Sequence, residues 1–336
     1  MKFCLAIAVL TLAFFSCSYR VSPPDKYRYT LADTVFIKVR DSKQKIDSIY
    51  VNSNSKVLKG NLNEGRYSLL ASEFYPGANK LTIHTVLKSG RKRDEDSSLF
   101  IISDIIPRKY HIHANKTLPH DTSAFTQGLT YYKGFLYEST GIKGKSRLII
   151  INPQNGICIR DSATDIKLFN EDISIINDTI YQLTWKDSVM IVRNLDFSII
   201  RKVNFPSEGW GLCSNSRMLY FSDGTNKIIK FNPHSMEFTD TIRVIDNLGA
   251  VYYINEMEWI DRHIWANIYG KDEIAVIDPT SGKIISTFTI AGLLDRKQYP
   301  MAGVMNGIAY DSVSGMVFLT GKNWPFIKVC NSYFGE

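Results

Sequence analysis

Five segments of this chain repeat one pattern at intervals of roughly 40–50 residues, a period that signals stacked or radially arranged repeats. Gln127, Glu171, Trp210, Asn255 and Asn306 hold one position of the repeat, each two residues before an apolar one: Leu129, Ile173, Leu212, Met257 and Ile308. A second short strand follows in every repeat, at Phe135-Leu136-Tyr137, Thr179-Ile180-Tyr181, Met218-Leu219-Tyr220, His263-Ile264-Trp265 and Met316-Val317-Phe318. A third runs into a turn at Asn152-Pro153, Asn232-Pro233 and Asp278-Pro279, where proline fixes φ and starts the reversal. Units of this kind predict an all-β fold, a five-bladed β-propeller over residues 108–334. The innermost strand of each blade faces a central channel, so one repeat position becomes one ring of side chains. Here that ring is polar and aromatic. Tyr110-His111-Ile112-His113 is expected to complete the last blade as its outer strand.

Gly128, Gly211 and Gly307 follow the ring residue in three repeats, where a missing Cβ lets inner strands crowd together. Asp172 and Glu256 take that place in the other two. Their oxygens suit a structural divalent cation such as calcium in the channel, and equally suit hydrogen bonds to neighbouring backbone.

The rest of the chain reads differently. Residues 1–17 have the form of an export signal, with Lys2 at the start, an apolar stretch over 5–15 and Ser16-Cys17 at the end. The apolar stretch is short of the roughly 20 residues a membrane helix needs. Ser16-Cys17 resembles a bacterial lipoprotein processing site, which implies acylation of Cys17 and a lipid anchor in the cell envelope, periplasmic or at the cell surface. Simple cleavage and secretion is the alternative. Residues 24–107 alternate apolar and polar positions in short runs broken by Gly60, Gly65, Pro76-Gly77 and Gly90. That pattern predicts a small immunoglobulin-like β-sandwich, with a spacer or docking role and no catalytic constellation.

The net charge of +7 is dispersed. The one basic run, at 88–93, is followed at once by Asp94, Glu95 and Asp96, which reads as a solvated turn and not a nucleic-acid surface. Cys158, Cys213 and Cys330 lack metal-ligand spacing and are expected to be buried small hydrophobes. No long apolar strand outside the repeats asks for a partner, so a monomer is expected.

Within 120–325 the residues resemble a known family. His120-Asp121, Ala124-Phe125-Thr126-Gln127-Gly128-Leu129, Tyr137-Glu138-Ser139-Thr140-Gly141 and Tyr181-Gln182-Leu183-Thr184-Trp185-Lys186 are similar to the plant and bacterial type of glutamine cyclotransferase. So are Glu208-Gly209-Trp210-Gly211-Leu212, Asn255-Glu256-Met257-Glu258, Ile264-Trp265-Ala266-Asn267, Asn306-Gly307-Ile308-Ala309 and Thr320-Gly321-Lys322-Asn323-Trp324-Pro325. The resemblance implies a five-bladed propeller that converts the N-terminal glutamine of peptides or proteins into pyroglutamate, releasing ammonia without a cofactor. It implies a pocket of Phe125, Gln127, Phe169, Glu171, Trp185, Trp210, Asn255, Trp265 and Lys322, with Glu171 as the acid/base group. One departure stands out. The family usually has glycine after that glutamate, and this chain has Asp172.

The chemistry fits those residue types. The α-amine must attack the γ-carboxamide carbon, and the amide nitrogen leaves only after gaining a proton. One carboxyl can take the proton from the amine and deliver it to the leaving nitrogen, best with its pKa raised toward neutrality by burial among aromatics. Gln127 and Asn255 carry amides that can read the substrate carboxamide, and Lys322 can stabilise charge on its oxygen. Tryptophans can form a dry slot that excludes water, the rival nucleophile. Each residue also has a plainer reading: core packing for the tryptophans, Trp259 above all, backbone satisfaction for Glu208, and solvation for Lys322. His120-Asp121 reads as a turn ordering the first inner strand. The alternative for the whole chain is a non-catalytic propeller lipoprotein that binds peptides or glycans.

Overall fold

A computed structural model describes residues 19–205 and 207–331, and its regular elements are strands apart from one short 3-10 turn, Ala71–Glu73. The expected export signal and Cys17 lie outside the described residues. The chain forms two compact units, one ending at Ile101 and one beginning at Ile102. The division falls ahead of Pro107-Arg108 because Ser103 and Asp104 already belong to the second unit. The Ser103 N–H donates to the Asp246 carbonyl at 2.8 Å, and Asp104 lies 2.6 Å from Lys283 Nζ.

The first unit holds two sheets. One orders its strands Tyr19–Pro24, Thr34–Asp41, Arg66–Leu70 and Asn61–Asn63. The other orders Arg28–Thr30, Lys92–Ile102, Gly77–Leu87, Ile46–Ser53 and Lys56–Leu58. Alternate residues are buried, as at Val35, Ile37 and Val39 or Leu81 and Ile83, the signature of strands with one apolar face.

The second unit holds five four-stranded antiparallel arrays, numbered I to V by their first strands. Sheet I runs Thr126–Tyr132, Phe135–Thr140, Arg147–Ile151, Cys158–Ala163. Sheet II runs Asn170–Ile176, Thr179–Thr184, Val189–Asn194, Ile199–Asn204. Sheet III runs Leu212–Ser214, Leu219–Ser222, Lys227–Asn232, Glu237–Arg243. Sheet IV runs Ile254–Ile260, His263–Ile268, Glu273–Ile277, Ile284–Thr289. Sheet V runs Met305–Asp311, Met316–Gly321, Phe326–Asn331, and takes its outer strand, Lys116–Pro119, from the start of the unit. Each first strand touches the next, and that of sheet V returns to that of sheet I. The ring is closed.

Closure differs from the sequence expectation. Arg108–His111 runs parallel to Ile284–Thr289 on the outside of sheet IV, and the segment after it completes sheet V. Burial explains the placement. Ile112 enters the core between sheets IV and V, and Leu118 enters the core between V and I. His120 then binds the closing segment to sheet I: one ring nitrogen is 2.8 Å from the Trp324 carbonyl oxygen and the other 3.1 Å from Glu138.

Five apolar clusters lie between consecutive sheets. A central strand therefore feeds two cores. Leu148 faces the core between sheets I and II, while Ile149 and Ile151 face the core between V and I. This is why Leu148-Ile149-Ile150-Ile151 is continuously apolar, as expected of a strand covered on both faces. Outer strands such as Ile199–Asn204 are largely exposed, and this one sets Arg201 and Lys202 beside exposed Ile199 and Ile200, charges that help to blunt its free edge. Cys158 is exposed on one of these outer strands, in contrast to buried Cys213 and Cys330.

Hydrogen bonds between first strands of different sheets cross the interior of the ring. Asp172 on sheet II accepts from Leu212 N at 2.7 Å and Met257 N at 3.3 Å, on sheets III and IV. Glu256 accepts from Ile308 N at 2.6 Å and Asn267 Nδ2 at 2.7 Å. Asp172 thus serves backbone N–H groups, and Glu256 serves one backbone N–H and one side-chain amide. Strand crowding is visible at Gly211, where a Cβ would collide with the Asn255 carbonyl oxygen, and at Gly128, where it would collide with the Asp172 side chain.

Glu258, on the same first strand of sheet IV as Glu256, is partly buried and accepts from Trp259 N at 2.8 Å and the Thr130 hydroxyl at 3.3 Å. Burial pushes its carboxyl up to about 8, against those two donors, which favour the anion. Because its folded pKa is raised, its stabilising contribution is complete below the unfolded value and is lost as pH climbs through about 8. Glu258→Gln should remove that dependence. Between about pH 5 and pH 8 the melting temperature of the unsubstituted protein should fall relative to that of the variant. Parallel melting curves across that range would contradict this account.

Candidate active site

Four of the five first strands carry a β-bulge at the repeat position held by Gln127, Glu171, Asn255 and Asn306. Strand pairing skips between Thr126 and Gly128, Asn170 and Ile173, Ile254 and Met257, and Met305 and Gly307. A bulge leaves its extra residue unpaired and re-aims the side chain. Gln127, Glu171, Asn255 and Asn306 therefore sit in bulges rather than in the regular ladder. Sheet III begins only at Leu212, and Trp210 comes from the preceding loop, its N–H donating to the Ser222 carbonyl at 3.0 Å.

Two further repeat positions supply walls. Phe125 and Phe169 immediately precede first strands, and Trp185, Tyr269 and Lys322 immediately follow second strands. Together with Gln127, Glu171, Trp210 and Asn255 they line a cavity of about 360 Å³. The aromatic walls meet edge to face or tilted: Phe125 against Phe169 at 6.4 Å, Phe169 against Trp185 at 5.5 Å, Trp210 against Tyr269 at 5.9 Å. Such geometries are favoured by the ring quadrupoles. The indole N–H groups of Trp185 and Trp210 both donate to Glu208 Oε2, at 3.1 and 3.2 Å. One carboxylate thus holds two walls, a role beyond the backbone contact expected from sequence.

A carboxyl and a lysine amine share the cavity. Glu171 is 5% exposed and accepts from Gln127 Nε2 at 2.9 Å. Burial raises its carboxyl well above the usual range, Lys322 opposes that shift, and Asp172 and Glu208 add to it. Lys322 is 8% exposed, with Nζ 4.8 Å from the centre of the Phe125 ring and 5.4 Å from that of Tyr269. Burial lowers its pKa, and the charge of Glu171 works the other way. The Asp172 carboxyl lies outside the cavity lining, spent on the backbone of sheets III and IV, so the extra side chain leaves the pocket open.

Of the nine pocket residues expected from sequence, eight line this cavity and Trp265 does not. Trp265 is 5% exposed in the core between sheets IV and V, stacked on Phe288 at 4.7 Å. Its repeat position explains this. Tyr137, Tyr181, Tyr220 and Phe318 hold the equivalent place in their second strands, and each is buried between sheets. Tyr269 takes the wall instead. It was absent from the expected set, although it follows its second strand as Trp185 and Lys322 follow theirs, and that register is the signal that locates it. Trp259 packs between sheets III and IV, stacked on Tyr220 at 5.2 Å.

These placements separate the tryptophans energetically. Trp265→Ala should cost about 3–5 kcal/mol, the range for emptying a packed core. Trp185→Ala, truncating a partly exposed wall, should cost less than half as much in denaturant unfolding. Equal losses would contradict the assignment.

Comparison with known proteins points the same way. Residues 88–329 match the family model described as glutamine cyclotransferase. The glutaminyl-peptide cyclotransferase of Arabidopsis thaliana is 32% identical over 228 residues, covering 66% of this chain and 71% of the plant protein. The crystal structure of Myxococcus xanthus glutaminyl cyclase superposes with a TM-score of 0.62 at 28% identity, covering 67% of this chain and 97% of that one. By sequence and by fold, this chain belongs to the glutamine cyclotransferase family.

Proposed function

We propose that the chain cyclises N-terminal glutamine of peptides or proteins to pyroglutamate, with Glu171 as the acid/base group. The observation that carries this reading is a buried carboxyl of raised pKa inside an aromatic cavity that also holds two amides and a lysine. The α-amine nitrogen attacks the γ-carboxamide carbon, forming the ring C–N bond. Glu171 takes the proton this nitrogen sheds and passes it to the amide nitrogen, whose bond to carbon then breaks, and ammonia leaves. No water or cofactor enters the balance. Burial suits the carboxyl to both halves of the transfer by bringing its pKa toward that of the amine, about 7.7–8.0. Gln127 and Asn255 orient the carboxamide, and the Lys322 ammonium stabilises charge gathering on its oxygen. Phe125, Phe169, Trp185, Trp210 and Tyr269 keep water from competing.

In this reading the five sheets are the blades of a five-bladed propeller, and the two sheets of the first unit form an immunoglobulin-like sandwich that acts as a spacer. We further propose that Cys17 carries a lipid anchor holding the enzyme in the cell envelope as a monomer. Cys17→Ser should release the protein from the membrane fraction of cells, and its retention there would refute the anchor.

The chemistry is tested on a Gln-initiated peptide by following the mass loss of ammonia. Glu171→Gln should lower kcat by about 10²–10⁴-fold, the usual weight of a general acid/base. A folded variant with normal turnover would remove Glu171 from the mechanism. The rate of the unsubstituted enzyme should rise with pH as Glu171 and the amine lose protons. It should fall again as Lys322, whose pKa is lowered, loses its own.

A further inference from the structure

Asn306 shares the repeat position of Gln127, Glu171 and Asn255, but it is fully buried and does not line the cavity. Its Nδ2 donates to the backbone carbonyl oxygens of Thr126 at 3.3 Å and Gln127 at 3.2 Å, and to Gln127 Oε1 at 2.9 Å. Its Oδ1 accepts from Asn255 Nδ2 at 2.7 Å. A backbone carbonyl can only accept, so the side of Asn306 turned toward sheet I must be its NH2. The remaining amides then have no choice. Gln127 turns Oε1 to Asn306 and presents Nε2 to Glu171, at 2.9 Å. Asn255 turns Nδ2 to Asn306 and keeps Oδ1 for the cavity it lines.

We propose that Asn306 is a positioning residue that sets the polarity of both pocket amides, making Gln127 a donor to Glu171 and Asn255 an acceptor for a substrate N–H. The substrate half of this statement rests on the cyclase reading. The half that concerns Gln127 and Glu171 stands on hydrogen-bond geometry alone.

The direction of the chain matters to the chemistry. An N–H aimed at Glu171 stabilises its anion, the form that must receive the amine's proton. A reversed Gln127 would aim a carbonyl oxygen at the same carboxyl and favour the neutral acid. At the other end, both nitrogen groups of an N-terminal glutamine carry N–H, so an acceptor in the cavity pairs with them and a donor does not. Since Asn306 itself stays out of the cavity, it acts only through its neighbours.

Asn306→Ala releases both amides and leaves the other charges facing Glu171, those of Lys322, Asp172 and Glu208, in place. In the substrate-free protein, the carboxyl of Glu171 can be titrated by 13C NMR and identified by its disappearance in Glu171→Gln. Its midpoint should move up by about 0.5–1 pH unit when the Gln127 donor is lost. With a Gln-initiated peptide, kcat/KM should fall about 10- to 100-fold, the scale of a misplaced catalytic group, with most of the loss in kcat. Asn306→Ser, which keeps a small polar group against the carbonyls but is too short to span to both amides, should behave alike. An unmoved midpoint in either folded variant would overturn the proposal. Failure of both variants to fold would also overturn it, placing Asn306 in the fold and not in the site. If the unsubstituted protein releases no ammonia, the cyclase reading fails separately, while the titration still decides whether Asn306 governs Glu171.

Discussion

A ring of sheets encloses a cavity only if its two ends meet. Here the meeting is the antiparallel pairing of Lys116–Pro119 with Phe326–Asn331. That pairing joins the start of the second unit to its end and buries Leu118 between sheets V and I. It also delivers His120 to Glu138, a contact in which both side chains are almost wholly out of water. Burial alone would lower the His120 pKa, but the charge and hydrogen bonding of Glu138, with the Trp324 carbonyl, raise it. Residues far apart in sequence, Glu171 on sheet II and Lys322 at the end of sheet V's second strand, thereby share one small volume. Without closure there is no site.

The interior of the ring carries an unusual load of buried polar groups. Isolated buried charges are costly, and Asp172, Glu256 and Glu171 each accept from identified donors. Asp172 and Glu256 tie one first strand to others through backbone N–H groups. Glu208 fixes two indoles at the mouth of the cavity. Glu171 is the exception in kind. Its hydrogen bond comes from a side-chain amide that faces the cavity, so its carboxyl remains available to a ligand. The structural carboxylates are committed to the protein. The proposed catalytic one is not.

Much of this was legible in the sequence because the repeat carries two independent signals. The apolar runs and Asn/Asp-Pro turns located the strands, and the fixed register of Gln127, Glu171, Trp210, Asn255 and Asn306 marked the residues that converge. The recurrence had a cause not visible in composition, namely a bulge in four of the five first strands. The misplacement of Trp265 shows the limit. A tryptophan in a matched motif looked like a pocket wall, yet its repeat position is the one that packs sheets together. Closure differs from the sequence expectation because an apolar-alternating segment beside Pro107 fits the edge of either of two neighbouring sheets. Which edge it takes depends on where Ile112 and Leu118 find cover.

The central claim is that one buried carboxyl stands between the amine and the amide nitrogen of a bound glutamine. The most direct measurement is a crystal structure of the Glu171→Gln protein soaked with a glutaminyl peptide. The account predicts the glutamine side chain folded back in the cavity, with both of its nitrogens within about 3.5 Å of the residue-171 side chain, a near-attack arrangement. A peptide bound elsewhere on the ring, or held with its glutamine extended away from Glu171, would contradict it.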